Sequence, residues 1–142
     1  MRRRIVWLVA VPLLVAPSLG SDAPKDYDGA TQADELEGTW RLVAVEYDGG
    51  RGIPAVVTST YRGRNFTEVD GTTGTFTTDV RRKPAHLDST ATTGYWAGRT
   101  VKGIYQRDCD TLRIAFHLWG DERPTNFDEK RDLLVQTWKR MK

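Results

Sequence analysis

The sequence predicts an all-β domain in which about eight short antiparallel strands form a sandwich or a closed barrel. The clearest strand lies at 111–117, where Leu112, Ile114 and Phe116 alternate with other residue types. A period of two residues is typical of a strand that buries one face. Turn formers recur at short intervals along the chain, and almost no segment repeats its apolar residues with the helical period. Together these observations argue against a mainly helical domain.

The first predicted strand, Gly38–Tyr47, carries apolar residues on both faces near its end. Strict alternation places Trp40, Leu42 and Ala44 on one face. The other face then holds Val43, Val45 and Tyr47. The segment Asp48-Gly49-Gly50 is expected to end the strand, since glycine and aspartate interrupt strand pairing.

Seven further strands are separated by turn residues. Asp70-Gly71 predicts a hairpin turn, because these residue types accept the backbone angles of tight hairpins. Residues 53–58 fit either a short helical turn or a loop, and 119–132 fit a polar loop. The predicted strands are Ser59–Arg62, Arg64–Val69, Thr73–Val80, Ala85–Thr92, Thr100–Arg107, Thr111–Leu118 and Leu133–Arg140.

The first twenty residues have the layout of a secretory signal peptide. Arg2–Arg4 form a basic start, and Ile5–Leu19 is mainly apolar. Ser18 and Gly20 provide the small residues that precede a cleavage point. The apolar segment is shorter than the ~20 residues of a membrane-spanning helix. We therefore expect cleavage after about Gly20 and export to the periplasm or the cell exterior, rather than an uncleaved anchor.

The predicted organisation is a signal peptide at 1–20, a flexible tether at 21–35 and a β-barrel domain at 36–142. The tether prediction follows from polar composition without strand or helix periodicity. Loss of the leader lowers Lys plus Arg from 21 to 18 against 19 acidic residues, so the mature chain has a formal charge near −1. No basic stripe remains to indicate nucleic-acid binding. We expect a monomer that does not insert into a membrane after cleavage.

Cys109 is the single cysteine, so it has no partner for an internal disulfide. It lies between Asp108 and Asp110 at the tip of a predicted hairpin over 103–116. Two neighbouring carboxylates disfavour the thiolate, which is the reactive form. The residue is therefore interpreted as a free and mostly inert thiol at a turn.

Gly38-Thr39-Trp40 in the first strand and Arg140 at the end of the last resemble the lipocalin pattern. This resemblance implies an eight-stranded antiparallel barrel with little helix. Trp40 would pack at its closed end, and Arg140 would lie across the indole. These two residues are the predicted barrel-closing pair.

A longer ordered set of segments is similar to a family of exported lipocalin-like domains of unassigned activity, abundant in planctomycete-type bacteria. The resemblance covers Leu36 to Arg140 and implies a fold, but no catalytic residues. Cys109 departs from the family, whose turn usually carries a small residue such as glycine. The segments are Leu36-Glu37-Gly38-Thr39-Trp40, Lys83-Pro84-Ala85-His86-Leu87-Asp88, Gly103-Ile104-Tyr105, Asp110-Thr111-Leu112, Arg123-Pro124 and Leu133–Arg140.

Motifs for catalysis or metal binding are weak. The chain contains neither a nucleophile elbow nor a phosphate-binding glycine loop. His86 and Asp88 share a strand face, and His117 is the only candidate third ligand, but no spacing forces the three together. None of the carboxylates lies in an apolar run that would raise its pKa. We interpret the protein as non-enzymatic, with no metal and no cofactor.

Two functions of different classes fit these features. The first is a binding module for a small apolar molecule at the barrel mouth. The alternative is a cell-envelope interaction domain that binds a protein or polymer through Trp96 and Trp119. A wide interior favours the first, and a filled interior with exposed tryptophans favours the second. The predicted ligand-binding side chains, which in a narrow barrel would only fill the interior, are Phe66, Phe76, Tyr105 and Phe116.

Overall fold

The computed structural model describes residues 35–52 and 55–142. The predicted signal peptide and residues 21–34 of the predicted tether lie outside the described residues, as do 53 and 54. Glu35, which the sequence assigns to the end of the tether, contacts the barrel. Its carboxylate accepts a hydrogen bond from the Tyr105 hydroxyl at 3.0 Å. Its carbonyl accepts one from the Arg107 guanidinium at 2.8 Å.

The described residues form antiparallel strands and no helix. The first strand pairs with both the third and the last, so the sheet closes into an eight-stranded barrel, as predicted. The second and third strands pair with different parts of one edge of the first and share one position in the barrel. The strands are β1 Gly38–Tyr47, β2 Gly50–Gly52, β3 Thr58–Arg62, β4 Asn65–Glu68, β5 Thr73–Asp79, β6 Ala85–Ala91, β7 Thr100–Asp108, β8 Thr111–His117 and β9 Leu133–Arg140.

The short strand β2 was absent from the sequence prediction, which ended the strand at Asp48-Gly49-Gly50. Asp48 and Gly49 both have positive φ angles, 46° and 80°. Two consecutive positive φ values make the tight hairpin turn that matches the twist of its strands. The segment therefore reverses the chain, and β2 pairs with the end of β1. Among the described residues of 53–58, none is helical.

A β-bulge corrects the predicted faces of β1. Leu42 pairs with Trp138, but Ala44 pairs with the next residue of β9, Thr137. The extra residue, Val43, has no partner of its own, so alternation shifts by one position. Val45 consequently packs against the inner core that contains Leu42, whereas Ala44 was predicted on that face. The prediction failed because a bulge depends on pairing with a strand far along the sequence.

The closed end of the barrel contains the predicted contact between Trp40 and Arg140. Trp40 is fully buried, and the Arg140 guanidinium carbon lies 4.4 Å from its ring centroid. The indole N–H donates to the Leu36 carbonyl at 2.9 Å. Gly38 has a φ of 123°, and an added Cβ would lie 2.6 Å from Arg140 Nη1. The backbone angle therefore favours glycine two residues before this tryptophan, and an added Cβ would displace the end of the Arg140 side chain.

Residues 118–132, here called the outer loop, pack against the outside of the barrel. The Phe127 ring contacts a small apolar core on the outer face of β7, β8 and β9, and Arg113 lies 4.7 Å from its centroid. Arg123 donates to the Gly103 carbonyl at 2.7 Å and pairs with Asp88 at 2.6 Å. These contacts hold the outer loop against the outside of the barrel. The outer core comprises Ile104, Ala115, Leu133 and Val135.

Cys109 lies at the β7–β8 turn as an exposed free thiol with a φ of 51°. The left-handed conformation costs a residue with a Cβ about 1 kcal/mol or more. We expect Cys109→Gly to leave the free energy of unfolding unchanged or to raise it slightly, as measured by urea denaturation. Cys109→Ser keeps the Cβ and should show no such gain. A loss above ~2 kcal/mol in the glycine variant would instead indicate a stabilising contact of the sulfur.

Candidate binding site

A cavity of about 450 Å³ opens at one end of the barrel. The loops 69–72, 92–99 and 118–132 contribute residues to the cavity and lie at this end, because each connects neighbouring antiparallel strands of an up-and-down barrel. Ligand cavities in proteins typically measure about 300–1,000 Å³. The interior is therefore wide enough at the mouth for a small molecule.

The cavity wall is formed by inward-facing side chains of β3, β4 and β6 to β9. Alternation turns every second side chain inward, and most of those at this depth are aromatic or aliphatic. Small residues on β6 and β7, namely Ser89, Ala91 and Gly103, lie among them and leave the space open. The larger wall residues are Tyr61, Phe66, Leu87, Val101, Ile114, Phe116 and Trp138.

Three aromatic side chains surround the opening. Tyr95 is 92% exposed, Trp96 51% and Trp119 68%, and all three line the cavity. Tyr95 and Trp96 pack edge to face, with ring centroids 4.9 Å apart. Arg99 lies over the Trp96 ring at 4.8 Å and donates to the Leu118 carbonyl at 3.0 Å. Arg99 therefore joins the 92–99 loop to the start of the outer loop. We refer to Tyr95, Trp96 and Trp119 as the aromatic rim.

The four predicted ligand-binding residues divide into two pairs. Phe66 and Phe116 line the cavity. Phe76 and Tyr105 do not, because they lie deeper and fill the half of the barrel nearer its closed end. Phe76 packs edge to face on Tyr61 at 5.1 Å, and the Tyr105 hydroxyl bonds to Glu35. The interior is thus filled at one end and hollow at the other.

Glu68 also lines the cavity, and sequence analysis missed it. It follows Phe66 by two residues on β4, so the same alternation would have placed it on the inner face. Burial, and secondarily the nearby Asp70 carboxylate, raise the pKa of Glu68. No apolar run in the sequence surrounds Glu68, so its burial follows from the barrel and not from its neighbours along the chain. Burial also raises the pKa of Tyr61 to about 12, so this hydroxyl stays neutral.

The candidate metal ligands face the outside of the barrel, and two of them, Asp88 and His117, have other partners. Asp88 pairs with Arg123, and the pKa of His86 is lowered by burial and by Arg123. His117 contacts the Glu129 carboxylate at 2.6 Å and the Glu122 carbonyl at 3.0 Å. Although burial opposes it, these two contacts raise the pKa of His117. Within 35–52 and 55–142, no three potential ligands come together as a metal site.

Comparison of the chain with protein-family models, with curated proteins and with solved structures finds no match. In the part of the chain that the structure describes, no helix has the length and hydropathy to cross a membrane. The candidate site therefore rests on the geometry and chemistry of the cavity and its aromatic rim.

Proposed function

We propose that this protein is an exported binding module that holds a small, mainly apolar molecule in the cavity at its barrel mouth. The observation that carries the proposal is a hollow, largely apolar space with an opening surrounded by exposed aromatic rings. The export signal predicted at 1–20 supports a setting outside the cytoplasm. No catalytic step is part of this function.

The energetics of the rim support a ligand. Aromatic side chains that remain in water leave large apolar areas unburied, and their burial is favourable by roughly 25 cal/mol per Å². Clustered exposed apolar groups are typical of interaction sites. A molecule seated in the cavity would cover the inner sides of Trp96 and Trp119 and contact Phe66 and Phe116 below. The aromatic rim and the cavity wall would therefore contact the same bound molecule.

The alternative function is an envelope interaction domain that docks a protein or polymer through surface aromatics. Trp96 and Trp119 were the residues predicted for that surface. Because both line the cavity, the rim and the interior form one continuous site. This continuity favours the small-molecule function. Mass spectrometry of compounds extracted from the native protein would identify a bound ligand.

Filling the cavity should abolish binding of an apolar probe. Val101 is a partly buried wall residue, and Val101→Trp would occupy space near the mouth. We expect this variant to bind decanol at least about tenfold more weakly in calorimetry, a change of ~1.4 kcal/mol. Val56→Trp makes the same substitution at an exposed position outside the cavity lining, and should bind decanol normally.

Thermal unfolding of both variants would show whether they are folded, and Ala91→Leu supplies a milder filling change at another wall position. Unaltered decanol affinity in folded Val101→Trp and Ala91→Leu would contradict the proposed site. Loss of macromolecular binding in Trp119→Ala, with no effect of either filling variant, would support the interaction domain instead.

A further inference from the structure

We propose that the ligand carries a cationic head group, which Glu68 and the aromatic rim hold at the cavity mouth while an apolar tail enters the barrel. This inference rests on the proposed function, because it names the chemical class of the molecule for the same cavity. The ligand class is an amphiphile with an ammonium or similar cation at one end.

Glu68 lacks a compensating charge among the described residues. Its side chain is partly buried on the inner face of β4 and lines the cavity. Within the described residues it forms no ion pair or side-chain hydrogen bond. Its nearest acidic neighbour, Asp70, adds charge of the same sign and already accepts a hydrogen bond from the Thr72 backbone N–H at 2.8 Å. A carboxylate that is partly removed from water is costly unless a cation or donor approaches it.

Arg99 is the single cationic side chain among the described residues that line the cavity. Its guanidinium lies over Trp96 and donates to the Leu118 carbonyl, and it forms no ion pair in the described part of the chain. Arg99 therefore does not neutralise Glu68. With Glu68 and Asp70 negative and Arg99 positive, the lining has a net charge of −1 when its carboxylates are ionised.

One ring of the aromatic rim, Trp96, already contacts a cation of the protein itself. The Arg99 guanidinium lies 4.8 Å from the Trp96 centroid, within the ~6 Å range of cation–π attraction. Tyr95 and Trp119 are more exposed than Trp96 and add aromatic surface at the same opening. Aromatic rings and an uncompensated carboxylate that line one cavity favour an alkylammonium over an uncharged or anionic head group.

Three probes with the same tail provide the test: decyltrimethylammonium, decanol and decanoate, each used below its micelle concentration in calorimetry with the full chain. We expect the ammonium to bind about tenfold more tightly than decanol, as one cation–π and charge contact allows. Decanoate should bind more weakly than decanol. Glu68→Gln should remove the advantage of the ammonium, so that this variant binds the ammonium and decanol with similar affinities.

Glu46→Gln is the matched control. Glu46 lines a separate cleft beside Phe127 on the outside of the barrel, so its substitution should change none of the three affinities. We expect Glu68→Gln to fold normally, so a change in its ligand affinity will not reflect unfolding. A carboxyl group with a raised folded-state pKa contributes stability below its unfolded pKa, and this contribution is lost as pH rises through the folded pKa. Removal of the charge should leave the unliganded protein at least as stable at neutral pH.

The pH dependence separates Glu68 from the other groups at the mouth. The quaternary ammonium does not titrate, and burial raises the pKa of Tyr61 to about 12, so that hydroxyl stays neutral over the acidic range. Hydrogen bonds from Thr72 lower the pKa of Asp70, so that carboxylate remains ionised when Glu68 takes up a proton. As pH falls through the raised pKa of Glu68, the ammonium should lose its advantage over decanol. Glu68→Gln should show no corresponding transition.

The outcomes distinguish this inference from the function on which it rests. If decanol binds and Val101→Trp abolishes that binding, but the ammonium is no tighter, the binding function stands and the cationic class is wrong. Tighter binding of decanoate that depends on Arg99, tested with Arg99→Gln, would also overturn the cationic class. If none of the three probes binds, both proposals fail.

Discussion

Replacing Trp40 with alanine should cost about 3–5 kcal/mol of unfolding free energy, enough to unfold many small domains. The indole is fully buried at the closed end, where its loss leaves a large void. Its N–H also satisfies the Leu36 carbonyl, and this bond would be lost too. Urea denaturation followed by tyrosine and tryptophan fluorescence would measure the change. A cost near 1 kcal/mol would mean that the closed end collapses around the void and is not rigidly packed.

The effect of Arg140 should depend on the ring beneath it. Its guanidinium lies over Trp40 and donates to the Glu37 carbonyl at 2.7 Å. Arg140→Ala should therefore cost less than Trp40→Ala, with roughly 0.5–2 kcal/mol arising from the cation–π contact. Arg140→Lys should restore only part of the loss, since an ammonium does not stack as a planar group.

A double-mutant cycle checks this coupling. Trp40→Phe keeps an aromatic ring and should leave enough folded protein to measure. The cost of Arg140→Ala should be smaller in the Trp40→Phe background than in the original protein. Strict additivity of the two changes would contradict a direct contribution of the stacked pair.

Substitution of Gly74 by alanine should be strongly destabilising, by about 1–3 kcal/mol or more. An added Cβ would collide with the Thr90 carbonyl oxygen on β6 and with the Phe66 ring on β4. The backbone oxygen cannot move without disturbing β5–β6 pairing, in which Gly74 is opposite Ala91. Thermal and urea unfolding would both register the loss.

Gly52→Ala provides the matched control for this change. Gly52 lies in a strand as well, but its added Cβ would meet no atom within 4 Å. We expect a change within about 0.5 kcal/mol at this exposed position. Because Phe66 lines the cavity, any folded Gly74→Ala protein should also bind decanol more weakly. Equal stability of the two alanine variants would show that β4 and β6 are less tightly packed around Gly74 than the structure indicates.

Sequence analysis predicted only part of the binding site. Alternation correctly placed Phe66 and Phe116 inside, but it carries no information about depth along the barrel axis. Phe76 and Tyr105 therefore could not be separated from the cavity-lining pair. Glu68 was overlooked because a charged residue on an inner face contradicts the usual preference for apolar burial. Sequence reasoning assigned Trp96 and Trp119 to an exposed surface. It could not show that they line the cavity, because that depends on where two loops lie.

The sequence by itself determined the all-β class and most strand positions, because local alternation and turn residues lie within contiguous segments. The closed-end pair Trp40 and Arg140 was expected from the resemblance of two distant segments to the lipocalin pattern. Only the tertiary structure decided the bulge at Val43, the packing of the outer loop and the hollow half of the barrel at its mouth. Each of these depends on contacts between segments far apart in the chain, where register and loop placement, rather than local preference, set which groups meet.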